Sequence, residues 1–321
     1  MRISRSWVAL ACLLAWPLTA WAQEYPVKSV RIVVPFPAGG GSDLIARLTA
    51  QKLTAAFGQS VVVDNRAGAS GNIAAELVAR SVPDGYTLLF GNSSLSISPA
   101  VFQKLPYDPV TDLMPISMVS SYPFVLVAHP SLPVRTVREL LVLAKAKPDA
   151  LAYSSAGAGT MSHLAMELMR IKTGIKVTHL PYKGAAPAAV GLMTGEAQFA
   201  FLVMPVAQTQ INAGKMRGLG VAARTRSEVV SQIPTMHEAG VEGHEALQWN
   251  GLFAPARTPQ AILDRLHREV VRALAEQEIR QRFATEGATA VGSTPSEFAA
   301  FFRAEAEKWA EVAKRSGTKL D

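Results

Sequence analysis

Short runs of β-branched and apolar residues alternate with helix-period patterns along almost the whole chain. Val30 to Val34, Val61 to Val63 and Tyr86 to Phe90 have strand character, while Asp43 to Phe57 and Gly71 to Arg80 repeat at helical spacing. A second series begins at Phe124 to Val127. It continues with helix Val137 to Ala146, strand Leu151 to Tyr153, helix Thr160 to Ile171 and strand Lys176 to His179. Helix Ala186 to Met193 and strands Gln198 to Val203 and Gly218 to Ala222 follow, and two amphipathic helices, Pro259 to Ala275 and Ser296 to Arg315, close the chain. This alternation predicts an α/β fold, with mostly parallel sheets flanked by helices. No internal repeat and no linker-like or low-complexity segment interrupts it.

The first residues belong to no element of that fold. Arg2 and Arg5, the apolar run Trp7 to Leu18 and the small-x-small Ala20-Trp21-Ala22 form a secretory leader expected to be cut after Ala22. The run is short for a bilayer span, and no later stretch is longer. Cys12, in a faint lipoprotein-like context, falls inside this leader. The remaining 299 of 321 residues carry no cysteine, which excludes thiol nucleophiles, cysteine-ligated zinc and iron–sulfur clusters. A chain of that length can bury a core without disulfides, and it is long for a single one, so two lobes are expected. Loss of Arg2 and Arg5 takes the formal charge from +7 to +5, a weak bias toward anionic partners. No Lys/Arg run with interleaved aromatics points to nucleic acid.

Two loops carry the candidate chemistry, each joining the end of a strand to the start of a helix. Unpaired N–H groups and the dipole of the following helix attract anions at such places. The first loop is Pro35-Phe36-Pro37-Ala38-Gly39-Gly40-Gly41-Ser42-Asp43, where glycine lets a ligand approach the backbone and Ser42 or Asp43 suits a helix N-cap. It lacks the Gly-Lys-Ser/Thr ending of a phosphate loop, and Leu44 stands where a dinucleotide fingerprint needs glycine. The second loop is Ser154-Ser155-Ala156-Gly157-Ala158-Gly159-Thr160-Met161-Ser162-His163. It narrowly misses a Rossmann pattern, and the strand after it ends at His179 with no acid to hold a ribose. His163 is either a ligand contact or a structural helix residue, and both readings stand.

Other constellations fall away. His237-Glu238-Ala239-Gly240-Val241-Glu242-Gly243-His244-Glu245 fits neither one helical face nor a zinc signature, so no metal is expected. There is no Gly-x-Ser-x-Gly elbow, no His-Glu-x-x-His and no carboxylate pair in a Gly-rich loop. Anion-binding loops without an acid–base machine describe a binder that needs no cofactor and is not an enzyme.

At these residues the sequence resembles the Bug-type receptors, the solute-binding components of tripartite tricarboxylate transporters. The resemblance runs from about Tyr25 to the C-terminus. It rests on Val34-Pro35-Phe36-Pro37-Ala38-Gly39-Gly40, Asn65-Arg66-Ala67-Gly68-Ala69-Ser70-Gly71-Asn72 and Pro83-Asp84-Gly85-Tyr86-Thr87-Leu88. It rests also on Tyr153-Ser154-Ser155-Ala156-Gly157, His179-Leu180-Pro181-Tyr182-Lys183-Gly184, Pro234-Thr235 with Glu238 and Gly240, and Trp249-Asn250-Gly251-Leu252-Phe253-Ala254-Pro255.

The resemblance implies a two-domain periplasmic-binding-protein (Venus-flytrap) fold hinged by crossing strands. The expected division is 23–122 with 227–321 in one domain and 123–226 in the other. It implies a ligand carboxylate caught between the Gly-rich loops. The first jaw would comprise Phe36, Ala38, Gly39, Gly40, Ser42 and Asp43, with Asn92 and Ser93. The second would comprise Ser155, Gly157, Gly159, Thr160 and His163, with Tyr182 nearby. Leu202 stands where the family often has an acid that could hold an ammonium. That favours a ligand with an apolar or aromatic portion over an amino acid, unless Leu202 is simply strand core.

The function so implied is a periplasmic, monomeric receptor that hands a small di- or tricarboxylate or aromatic acid to membrane permease subunits. A sensor that presents its closed form to a signalling protein is the alternative, and a secreted hydrolase is a third class that the missing catalytic constellation disfavours.

Overall fold

The computed structural model describes residues 25–39, 41–285 and 287–320. The expected leader, with Cys12 and the cut after Ala22, lies outside them, as does Gly40. The α/β expectation is met. Strand β1 (Val30–Val34) leads into helix α1 (Gly41–Phe57), then β2 (Val61–Asn65), α2 (Asn72–Ala79), β3 (Thr87–Asn92) and α3 (Ser94–Val101). Strand β4 (Leu113–Ala128) follows, then α4 (Val137–Ala146), β5 (Ala152–Ser155), α5 (Met161–Thr173), β6 (Thr178–Pro181) and α6 (Ala185–Met193). Next come β7 (Phe199–Val203), α7 (Met204–Asn212), β8 (Arg217–Val221) and β9 (Leu247–Pro255). The chain closes with α8 (Gln260–Ala275), α9 (Gln277–Thr285), β10 (Thr289–Ala290) and α10 (Pro295–Ser316).

The strands form one ladder in the order β2-β1-β3-β9-β4-β7-β5-β6, with β8 and β10 also on β4. Parallel pairing joins β2, β1 and β3 on one side and β7, β5 and β6 on the other. The change of partner happens within β4. Its first part pairs with β9 as far as Pro123 opposite Leu247, and Phe124 to Ala128 pair with β7. Sixteen residues of one strand therefore run through both sheets. The sequence pattern shows a strand only from Phe124, because Pro115, the serines and Pro123 break the apolar run before it. Register shifts between Pro115 and Ser117 and between Met118 and Ser120 accommodate that stretch.

Strands buried on both faces explain their nearly continuous apolar sequences. In β1, Ile32 and Val34 pack toward α1 and α8, while Val33 packs with Trp249, Phe253 and Phe298 on the other face. In the second sheet Phe199 and Phe201 face one core, with Leu164, Met166 and Trp309. Helix α10 starts with a capping box between Thr294 and Glu297 and ends at left-handed Gly317. Its early residues Phe298 and Phe302 pack under the first sheet, and its later residues Trp309, Val312 and Ala313 pack under the second. Among the described residues no helix is long and apolar enough to cross a membrane.

Candidate ligand-binding site

The loop after β1 is tied down by Asp43. Its buried carboxylate accepts from the Gly39 N–H (2.9 Å), from Arg47 Nε (2.9 Å) and from the Asn65 amide (2.9 Å), and Asn65 also donates to the Phe36 carbonyl (3.0 Å). Burial alone would raise the Asp43 pKa, but hydrogen bonds from Arg47, Gly39 and Asn65 outweigh it and hold the group below its ordinary value. With both oxygens occupied, Asp43 shapes the loop from beneath rather than facing outward. Replacing Asp43 with alanine strands these donors and should cost about 1–3 kcal/mol, read as a lowered urea midpoint. Phe36 is half-buried, whereas Ala38 and Gly39 are exposed at the loop tip.

Beside this loop runs a polar row on the crossing strands. Ser42 Oγ donates to Asn250 Oδ1 (2.8 Å), whose amide donates to Ser120 Oγ (3.0 Å). Ser93 Oγ donates to Gln248 Oε1 (2.8 Å), and Asn92 Oδ1 accepts the Ser94 N–H (3.0 Å). Asn92 also borders a small recess lined by Pro35, Gly71, Asn72, Gly91 and Leu95 at the carboxyl ends of β1 and β3.

The second loop joins β5 to α5. Gly157 (φ 139°) and Gly159 (φ 71°) take backbone conformations that a side chain resists. Thr160, the N-cap of α5, makes no side-chain cap, because its hydroxyl donates to the Gly157 carbonyl instead (2.7 Å). The N–H groups of the first turn are thus left without that partner, at the positive end of the helix dipole. Ser155 is fully buried and its Oγ takes the Gly157 N–H (3.1 Å) and bonds His179 Nε2 (2.6 Å). His163 Nδ1 accepts the Gly159 N–H (3.1 Å). The rings of His163 and His179 stack at 4.1 Å, and Tyr153 stacks on His179 at 4.7 Å. Burial lowers both histidines to about 4, so both are neutral at pH 7.

Two candidate residues sit elsewhere. The Tyr182 phenol lies against Gly191 of α6, with burial pushing its pKa up to about 12. Only its backbone reaches the loop, through its N–H to the Ser155 carbonyl (3.0 Å) and its own carbonyl beside Gly157. Leu202, opposite Val125, is 2% exposed and lies within the packed interior. His244, within the segment His237 to Glu245, is buried, stacks on Phe201 and bonds the Ala165 carbonyl (2.8 Å).

Asn65, Ser120, Gln248, Asn250 and His179 contribute to this arrangement without having been singled out as site residues. The available signal was polar side chains inside otherwise apolar strands. The arrangement offers backbone N–H groups at the start of α5, and its serine–histidine contact, Ser155 Oγ with His179 Nε2, is made by a serine with no exposed surface. It suits an anion.

The family model for the tripartite tricarboxylate transporter family receptor matches residues 45–318. The chain belongs to this family. The protein BugT of Bordetella pertussis is 37% identical over 301 residues, covering 93% of this chain and 92% of BugT. The structure of Rhodopseudomonas palustris Rpa4515 with adipate superposes with a TM-score of 0.83 at 36% identity, covering 92% of this chain and 99% of that one. MatC from the same organism, with bound malate, gives a TM-score of 0.79 at 32% identity, covering 90% and 99%. The family and these neighbours are solute-binding receptors, not enzymes, and they bear out the Bug-type resemblance.

Proposed function

We propose that this receptor captures a small organic carboxylate, a di- or tricarboxylate or an aromatic acid, and delivers it to the membrane permease of a tripartite tricarboxylate-type transporter. The observation that carries the reading is the start of α5, where an uncapped helix N-terminus follows two glycines at positive φ. Neither Gly-rich loop contains Lys or Arg, so backbone N–H groups at the start of α5 hold the carboxylate. The exposed loop tip at Ala38 and Gly39 supplies the opposing jaw. Adipate in Rpa4515 and malate in MatC support this ligand class. The protein works in the periplasm as a monomer after loss of residues 1–22. Its lobes, expected at 23–122 with 227–321 and at 123–226, close about the Pro123–Leu247 crossing, with the end of α10 reaching across into the second core.

A thermal-shift screen with adipate, malate and benzoate tests the reading. A ligand at one hundred times its Kd should stabilise the fold by about 2.7 kcal/mol. No stabilisation by any carboxylate at millimolar concentration overturns it. Lys183, the cation that follows Tyr182, should be dispensable. Lys183→Ala should weaken binding by no more than about tenfold, roughly 1.4 kcal/mol, in calorimetric titration.

A further inference from the structure

We propose that His163 and His179 are positioning residues: as neutral rings they pin the second loop from beneath in the conformation that receives the ligand anion. This rests on the proposed function for the role of the loop, but the pinning itself is a property of the ligand-free protein.

The geometry is reciprocal. His179, from β6, bonds Ser155 Oγ at the loop's start, and His163, from α5, accepts the Gly159 N–H near its end. Between those points lie Gly157 and Gly159, which on their own would leave the segment free to change conformation. Because Nδ1 of His163 accepts, its proton sits on Nε2. The rings then brace each other, stacked within 4° of parallel, with Tyr153 of β5 behind them.

The ionisable groups facing the pair are Tyr153 from β5, and Glu167 and Arg170 from α5. Glu167 stands 3.6 Å from His163 Nε2, close enough to favour an imidazolium. However, that carboxylate already accepts two bonds from Arg170 (2.8 and 2.9 Å) and one from the Tyr153 hydroxyl (3.0 Å). Its charge is spent, and Arg170 opposes a second cation. A proton on His163 Nδ1 would point a donor at the Gly159 N–H and break the pin. With the folded values lowered from 6.5 to about 4, the hold is nearly complete above about pH 5 and is lost as pH falls through about 4.

His163→Asn places a carbonyl oxygen close to the position of Nδ1, accepts from Gly159 and does not titrate, whereas His163→Leu fills similar space without an acceptor. His179→Gln likewise retains a polar atom near Nε2. In the ligand-free protein at pH 7.5, amide exchange of segment 155–163 should be at least about tenfold faster in His163→Leu and near wild type in His163→Asn. Adipate and malate affinities are then compared between pH 7.5 and 3.5. Ligand protonation is common to all variants and cancels in their ratios. The double variant His163→Asn with His179→Gln should lose less affinity in acid than wild type. Wild-type exchange in His163→Leu, or an acid loss in the double variant as steep as in wild type, overturns the proposal. If neither acid binds wild type, the proposed ligand class fails while the exchange measurement still decides the role of the histidines.

Discussion

Trp309→Ala should be among the most destabilising single changes in this protein, lowering stability by about 3–5 kcal/mol. The indole is completely buried in the core of the second sheet, although it arrives from the last helix of the chain. Its loss opens a cavity in a core built by the second sheet together with α3, α4 and α5, which cannot collapse freely. It also removes the N–H that donates to Glu305 Oε2 at 2.8 Å, leaving a nearly buried carboxylate with Lys308 as its remaining side-chain partner. Trp309→Phe keeps much of the apolar volume but not the donor, and should cost roughly 1–3 kcal/mol. Urea unfolding of both variants gives the comparison. A loss below about 1 kcal/mol for Trp309→Ala would mean that α10 is not fixed in the second core.

Gly157→Val should abolish ligand binding, by more than about a hundredfold, while leaving a folded protein. Gly157 has φ 139°, and a Cβ there would stand 3.2 Å from the Tyr182 carbonyl oxygen. Valine adds a second branch to that crowding, so the loop must adopt another path, and the N–H groups at the start of α5 lose their setting. The strain, about 1–3 kcal/mol, is within what a domain of this size tolerates. Gly174→Ala is the matched control. Gly174 has φ 71° at the far end of the same helix, and nothing lies within 4 Å of its would-be Cβ. It should show a similar small drop in melting temperature with unchanged affinity. Loss of affinity in both variants would trace the effect to stability rather than to the loop.

The features legible in the sequence are those set by local periodicity. Strands β1 to β3 and helices α1, α4 and α5 were visible because their apolar positions repeat at 2 or 3.6 residues and glycines mark their ends. The two Gly-rich loops were visible for the same reason, since positive φ selects glycine. Helix α3 was hidden, because Ser94, Ser96, Ser98 and Pro99 are residues of caps and turns, and packing of Leu95, Ile97 and Val101 overrides that preference. Strand β9 was hidden because Gln248 and Asn250 look like solvent-facing positions, yet both are buried and bonded across the sheet. His163 and His179 could be noticed singly, but their stacking depends on β5, β6 and α5 meeting. Asp43 was legible as a cap, whereas its pairing with Asn65 and Arg47 needed the neighbouring strand. Tyr182, just past β6, could be read as a neighbour of the loop, but the side on which its ring falls depends on α6, where Gly191 leaves room for the phenol.

The dependence of each sheet on segments made late has a consequence for synthesis. Strand β9, which separates β3 from β4, is not complete until residue 255, and the second core lacks Trp309, Val312 and Ala313 until α10 is made. Neither sheet can therefore reach its final packing while the chain is still emerging, and the first 240 residues leave apolar faces open throughout elongation. Export to the periplasm, as proposed above, would require the chain to stay unfolded until it has crossed the membrane. In this chain the delay is written into the order of its elements.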